Sequence, residues 1–151
     1  MLMLTEALLA FVHLSAILGW VVFISGQATL CRADWLNAAA VRRLTRLDTA
    51  AWLAAAAVLL SGLARVQWGV KSAAWYWHNP LLMAKLTLFA LSAALLAGAS
   101  RRYRRWQARL AAGGPLPPEP DVRGARLRVM IATHLVAIIP LAAVLMARGY
   151  G

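Results

Sequence analysis

Four stretches of mostly apolar residues divide this chain, and each is long enough to cross a bilayer as a helix of about 20 residues. They cover residues 7–30, 49–66, 80–100 and 129–147 of the 151. In lipid, a helix satisfies its own backbone hydrogen bonds, so these stretches predict helices. The expected fold is all-α: an integral membrane four-helix bundle that forms a single transmembrane domain over residues 1–151.

Composition excludes several classes of protein. Hydrophobic residues make up 62% of the chain and are gathered into the four long runs, as expected when lipid is the solvent. The net charge of +11 would suggest nucleic acid in a soluble protein, but the basic residues lie between the apolar runs, which is a topology signal. We therefore expect no nucleic-acid partner. The single cysteine, Cys31, excludes an intrachain disulfide and a CxxC motif. The first run lacks a basic start and a following A-x-A site, so we expect a retained span.

The arginines predict the sidedness of the membrane domain. The expected loops 31–48 and 101–128 carry twelve basic residues, against three in the other connection and the C-terminal end. Basic loops stay in the cytoplasm. We therefore predict a multi-pass membrane protein, with both loops cytoplasmic and both termini outside. The basic run that follows residue 100 is expected to extend the third helix into the cytoplasm.

The connection between the second and third spans is short and aromatic. Its tryptophans and tyrosine fit an interfacial belt at headgroup level, and His78 beside them is expected to be interfacial. Asn79 and Pro80 are typical of a helix start, with asparagine as the cap and proline at the first helical position.

Two ionisable residues inside the predicted spans need an explanation, because such residues are rare in membranes and often mark a site. At 1.5 Å per residue, His13 lies roughly 9–13 Å below the outer edge of the first span, and Lys85 lies roughly 8 Å below the start of the third. His134 enters from the cytoplasmic side and belongs to the other leaflet. The depths therefore pair His13 with Lys85, between the first and third helices.

Simpler explanations stay open for each of these residues. His13 can bond a neighbouring helix, and Lys85 can extend its amine to the outer interface. For His134, a structural hydrogen bond and a second site are equally compatible with the sequence. Arg65 is either an interface anchor or a clamp for a ligand's carboxylates. Methionines such as Met83 are more often packing residues than copper ligands.

The stretch GLARVQWGVKSAAWYWHNPLLMAKLTLF, with IIPLAAVLMARGYG at the end of the chain, resembles a group of uncharacterised bacterial four-helix inner-membrane proteins. That resemblance covers nearly the whole chain. More distantly, the layout is similar to HemJ-type protoporphyrinogen oxidases and CopD-like copper-resistance proteins, which have a first-helix histidine followed by a tryptophan. Here His13 and Trp20 match, and Lys85 in MAKL matches the third-helix lysine of the HemJ type.

The HemJ-type resemblance implies that His13 and Lys85 bind haem b. Our hypothesis adds Trp20 beside them, Lys85 as the second iron ligand or a propionate partner, and Arg65 as a propionate clamp. The reaction would be electron transfer or porphyrinogen oxidation, with a quinone or another membrane carrier as electron partner. The last helix departs from the HemJ type, because it has Thr133 and His134 in place of an Asn-Glu-x-Pro-like motif.

Two alternatives remain. A CopD-like protein would use His13, Met83, Met130 and His134 along a copper path, and a purely structural bundle would need no cofactor. We also expect a homo-oligomer, because four helices leave little room to enclose a macrocycle.

Overall fold

A computed structural model of the protein describes residues 2–69 and 72–150, and its side chains from Leu4 onward. Lys71, one of the residues counted for the topology, lies outside the described residues. The helices are α1 (Leu2–Leu30), α2 (Ala38–Trp68), the short α3 (Ala73–His78), α4 (Pro80–Ala111) and α5 (Glu119–Ala147), with a 3₁₀ turn at Ala33–Trp35. The four long helices are long and apolar enough to cross a membrane.

The long helices surround a common core. The closest neighbours are α1 with α2 and α4 with α5, and further contacts join α1 to α5 and α2 to α4. This order places α1 diagonally opposite α4. The rings of Trp20 on α1 and Phe89 on α4 nevertheless meet across the middle, with centroids 5.0 Å apart.

The helices are longer than the apolar stretches that predicted them, and the expected loops 31–48 and 101–128 are largely helical. Helix α2 begins at residue 38, where the Asn37 side chain accepts a hydrogen bond from the Ala40 amide at 2.9 Å. Helix α5 begins ten residues before the expected position. Hydropathy marks where a helix leaves the lipid, and arginine-rich segments continue a helix readily. The predicted extension of the third span is confirmed, because α4 runs to Ala111.

The predicted start of the third span is also confirmed. Asn79 caps α4 by accepting from the Leu81 amide at 2.9 Å, and Pro80 is its first residue. The sequence did not predict α3, a turn and a half of helix capped by the Ser72 hydroxyl.

Burial is uneven along the bundle. On α1 the buried residues are Trp20, Ile24 and Gln27, followed by Cys31 just after the helix, whereas none of residues 4–19 is buried. The half of the bundle that carries the arginines is therefore tightly packed. The other half, which we call the outer half, leaves α1 only partly covered above the Trp20 ring.

Candidate functional site

The site begins with His13, whose partner lies on α2. His13 Nδ1 lies 2.9 Å from the Ser61 hydroxyl oxygen. That hydroxyl also lies 2.5 Å from the Ala57 carbonyl oxygen and 3.2 Å from the Val58 carbonyl oxygen, both acceptors for its single proton. When that proton is donated to a carbonyl, the hydroxyl oxygen accepts from Nδ1–H of the imidazole. In that tautomer Nε2 carries the lone pair.

A glycine allows this approach of α1 to α2. A Cβ atom added at Gly62 would lie 3.2 Å from His13 Cε1, tighter than ordinary van der Waals contact. The imidazole therefore lies against the bare backbone of α2, one residue after its hydrogen-bond partner.

Arg65, one turn after Ser61, has a carboxylate partner within the chain. Its guanidinium lies 3.2 Å from the Glu6 carboxylate, and both side chains are partly buried. Sequence reasoning missed Glu6, although it lies seven residues before His13 and so shares its helix face after two turns. Arg65 was expected to bind a carboxylate of a ligand. In the structure its carboxylate partner is Glu6 of α1 instead.

Lys85 on α4 has no ion pair or hydrogen bond within residues 2–69 and 72–150. It is near enough to interact electrostatically with His13 and with Arg65. The cluster thus contains one carboxylate, Glu6, against two cations. An uncompensated ammonium in a half-buried membrane site favours an anionic partner.

The floor of the site is aromatic. Trp20 is 1% exposed and packs on Phe89, so its ring closes the bundle one and a half to two turns of α1 below His13. The sequence placed Trp20 beside a cofactor, and the structure places it between this outer cluster and the tightly packed half.

The remaining predicted residues lie elsewhere. The His134 ring donates from Nδ1 to the Met130 carbonyl, 2.7 Å away on its own helix, and is exposed. Met130 and Met83 are also exposed, so these side chains face out of the bundle and do not line a path with His13. His78 is exposed and bonds the Ala74 carbonyl at 2.7 Å. In the described part of the chain, no three His, Cys, Asp or Glu side chains lie close enough to hold a metal ion together.

A second buried polar group lies in the tightly packed half, and the sequence did not single it out. Asp48 is 2% exposed and accepts from the Ser100 hydroxyl at 2.6 Å, while the Trp52 indole donates to the same hydroxyl oxygen at 2.9 Å. This network joins α2 to α4. The one sequence feature that could have indicated this network is the position of the Asp48 carboxylate directly before an alanine-rich apolar stretch.

Cys31 lies at the end of α1, fully buried beside the Tyr103 side chain. Burial raises the pKa of its thiol, and the nearby Tyr103 hydroxyl and arginines only partly oppose that rise. The unfolded thiol ionises first as pH increases, so this residue makes the folded state less stable above about pH 8.5.

We therefore expect iodoacetamide at pH 8 to alkylate Cys31 at least about tenfold more slowly in the folded protein than in the unfolded chain. Mass spectrometry of timed samples measures the two rates. The control is Ala39→Cys in a Cys31→Ser background, because residue 39 is exposed. Equal rates for Cys31 and the Ala39→Cys thiol in folded protein contradict the buried position.

The four apolar helices, their shared core and the polar cluster in the outer half define a multi-pass integral membrane protein of the helical-bundle class. Residues 5–151 match the family described as predicted membrane protein DUF2214, and the chain belongs to that family. The expectation of an uncharacterised membrane family is thus confirmed. No curated protein and no solved structure matches the chain, so the likeness to HemJ-type and CopD-like proteins stays a prediction.

Proposed function

We propose that this protein binds haem b in the outer half of its bundle and transfers electrons within the bacterial inner membrane. His13 Nε2 would hold the haem iron. Lys85 would hold either the iron, as a second ligand, or a haem propionate. A quinone or another membrane carrier is the electron partner, and a second copy of the chain helps to cover the macrocycle.

The observation that carries the proposal is the hydrogen bond from His13 Nδ1 to Ser61. Histidines that bind metals typically donate their other ring nitrogen to a neighbouring group, which orients the ring and fixes the tautomer. The Ser61 hydroxyl can take this role because two carbonyls, those of Ala57 and Val58, can accept its own proton. In the Nδ1–H tautomer of His13, Nε2 would be the ligand atom.

Three further features fit a haem. Lys85 has no anionic partner in the described part of the chain, and haem propionates are carboxylates. The Trp20 and Phe89 rings supply an apolar floor. Above that floor, residues 4–19 of α1 are exposed or only partly buried, so a planar group could approach this part of the helix from the lipid. When bound, haem b supplies one-electron chemistry, and the axial ligand and apolar shell tune its potential.

The sidedness of the site is part of the proposal. Both arginine-rich segments lie at the same end of the bundle, since the Cys31 thiol reaches the Val122 carbonyl at 3.7 Å. The positive-inside rule assigns that end to the cytoplasm and the outer half to the opposite leaflet.

We expect an alkaline phosphatase fused after residue 150 to be active, and the same enzyme inserted in the turn at Gly113 to be inactive. Alkaline phosphatase needs the oxidising, non-cytoplasmic side, and Gly113 lies between the two long helices that carry most of the arginines. Activity is measured in whole cells and normalised to immunoblots. The opposite pattern would place His13 in the cytoplasmic leaflet.

The haem proposal predicts a Soret band for protein purified in mild detergent from haem-replete cells. His13→Ala should lower the haem content at least about tenfold, the effect of losing about 1.4 kcal/mol or more of binding free energy. The pyridine haemochrome spectrum gives haem per protein. His134→Ala is the matched control, because that imidazole faces outward, and it should keep its haem.

Lys85→Met separates the two roles given to the lysine. A shifted Soret band assigns the amine to the iron, and an unchanged band with weaker haem retention assigns it to a propionate. A colourless wild-type preparation would refute the haem proposal. Elemental analysis of that preparation for copper then tests the alternative that the sequence left open.

A further inference from the structure

A small cavity between α2 and α4 lies at the arginine-rich end, away from the His13 site. Its volume is about 150 Å³, and its lining residues are Arg42, Thr45, Arg46, Thr49 and Gln107. The two arginines are four residues apart on α2, as are the two threonines, so each pair lies on one side of the helix. Gln107 comes from the cytoplasmic extension of α4.

The lining of this cavity donates hydrogen bonds far more than it accepts them. The Thr45 and Thr49 hydroxyls give their protons to the carbonyls of Val41 and Thr45, each at 3.1 Å. The donors that remain are the Arg42 and Arg46 guanidinium groups and the amide nitrogen of Gln107. A group rich in acceptor oxygens, with negative charge, is the complement of such a lining.

The chain does not supply that negative charge itself. The Asp48 carboxylate on α2 accepts a hydrogen bond from Ser100. The two carboxylates on α5 form ion pairs with Arg102 and Arg123. Within the residues that the structure describes, no carboxylate lies within 4.0 Å of a cavity arginine. Two exposed arginines therefore line the cavity without a carboxylate partner among the described residues.

The position of the cavity along α2 identifies the source of the anion. Thr49 is the first residue of the apolar stretch, so the cavity lies where the helix leaves the hydrocarbon and enters the headgroup layer. Basic pockets between membrane helices on the cytoplasmic side suit anionic lipid headgroups. The volume equals the share of about five water molecules, enough for the five heavy atoms of a phosphate group.

We propose that this cavity binds the phosphate of an anionic phospholipid headgroup, with Arg42 and Arg46 on the phosphate oxygens and Gln107 beside them. The site is independent of haem binding. The single negative charge of the lipid's phosphodiester offsets one of the two arginine charges, and the bound headgroup joins α2 to α4.

The test is native mass spectrometry of the full chain in detergent, titrated with phosphatidylglycerol. The double variant Arg42→Gln/Arg46→Gln should weaken binding of the first lipid about thirtyfold, because each basic residue near the surface contributes about 1 kcal/mol. The matched control Arg43→Gln/Arg101→Gln removes the same charge from exposed positions outside the cavity. It should weaken that binding less than about threefold.

Two companion titrations distinguish the sources of phosphate. Phosphatidylcholine should bind far more weakly than phosphatidylglycerol, and 10 mM inorganic phosphate should not displace the bound lipid. Equal losses in the two double variants, or displacement by inorganic phosphate, would overturn the proposal. Circular dichroism of each variant confirms that the helices are retained.

Discussion

Replacing Trp20 with alanine should lower the free energy of unfolding by about 3 kcal/mol, the lower end of the range for Trp→Ala in protein cores. Trp20 is 1% exposed and packs against Phe89. In a membrane the transfer of apolar surface contributes less than in water. The cost therefore comes mainly from the cavity and the lost dispersion contacts.

Phe11→Ala is the control for the Trp20 variant. Phe11 also lies on α1 but is 68% exposed, so its removal leaves no interior cavity and should cost less than about 0.5 kcal/mol. Equilibrium unfolding in mixed detergent micelles, followed by circular dichroism, measures both variants. If they lose the same stability, the Trp20 ring does not close the core as described.

Gly62→Leu should reduce the haem content at least about tenfold, an effect as large as that of His13→Ala, without removing any ligand. A single Cβ at this position already lies 3.2 Å from His13 Cε1, and a leucine side chain fills the space that the ring occupies. The displaced imidazole loses its hydrogen bond to Ser61 and its orientation. Gly62→Ala should have a smaller effect, because a shift of a few tenths of an ångström relieves it.

Ala56→Leu provides the matched control for Gly62→Leu. It adds a leucine to an exposed position of the same helix and should leave haem content unchanged. Gel filtration shows whether each variant stays monodisperse, and the haemochrome spectrum gives haem per protein. Full haem content in a folded Gly62→Leu variant would mean that His13 is not the ligand.

The prediction from sequence succeeded where the signal was local. Apolar length located four spans, and the asparagine-proline pair located the start of α4. It failed at the arginine-rich ends of the helices, because an arginine-rich stretch looks like a loop on a hydropathy scale while its residues are good helix formers. As a result, the sequence analysis did not predict that α2 begins at Ala38 or that α5 begins at Glu119.

In the candidate site, too, the sequence predicted local features of single residues but not their partners on other helices. Helical depth paired His13 with Lys85, and a site shared by these two residues stays a prediction. The hydrogen-bond partner on α2, Ser61, was not predicted. The ion pair of Glu6 with Arg65 was not predicted either. In both cases the two partners lie far apart in the sequence.

By itself, the sequence determined an all-helical membrane protein with four spans, a strongly basic end and ionisable residues at known depths. These follow from composition and from the fixed rise of a helix, which neighbouring segments do not alter. The tertiary structure decided which helices adjoin. The neighbours of α1 depend on close approach at Gly62 and on side-chain packing around Trp20, which periodicity along one helix does not encode. That choice gave His13 its serine partner on α2.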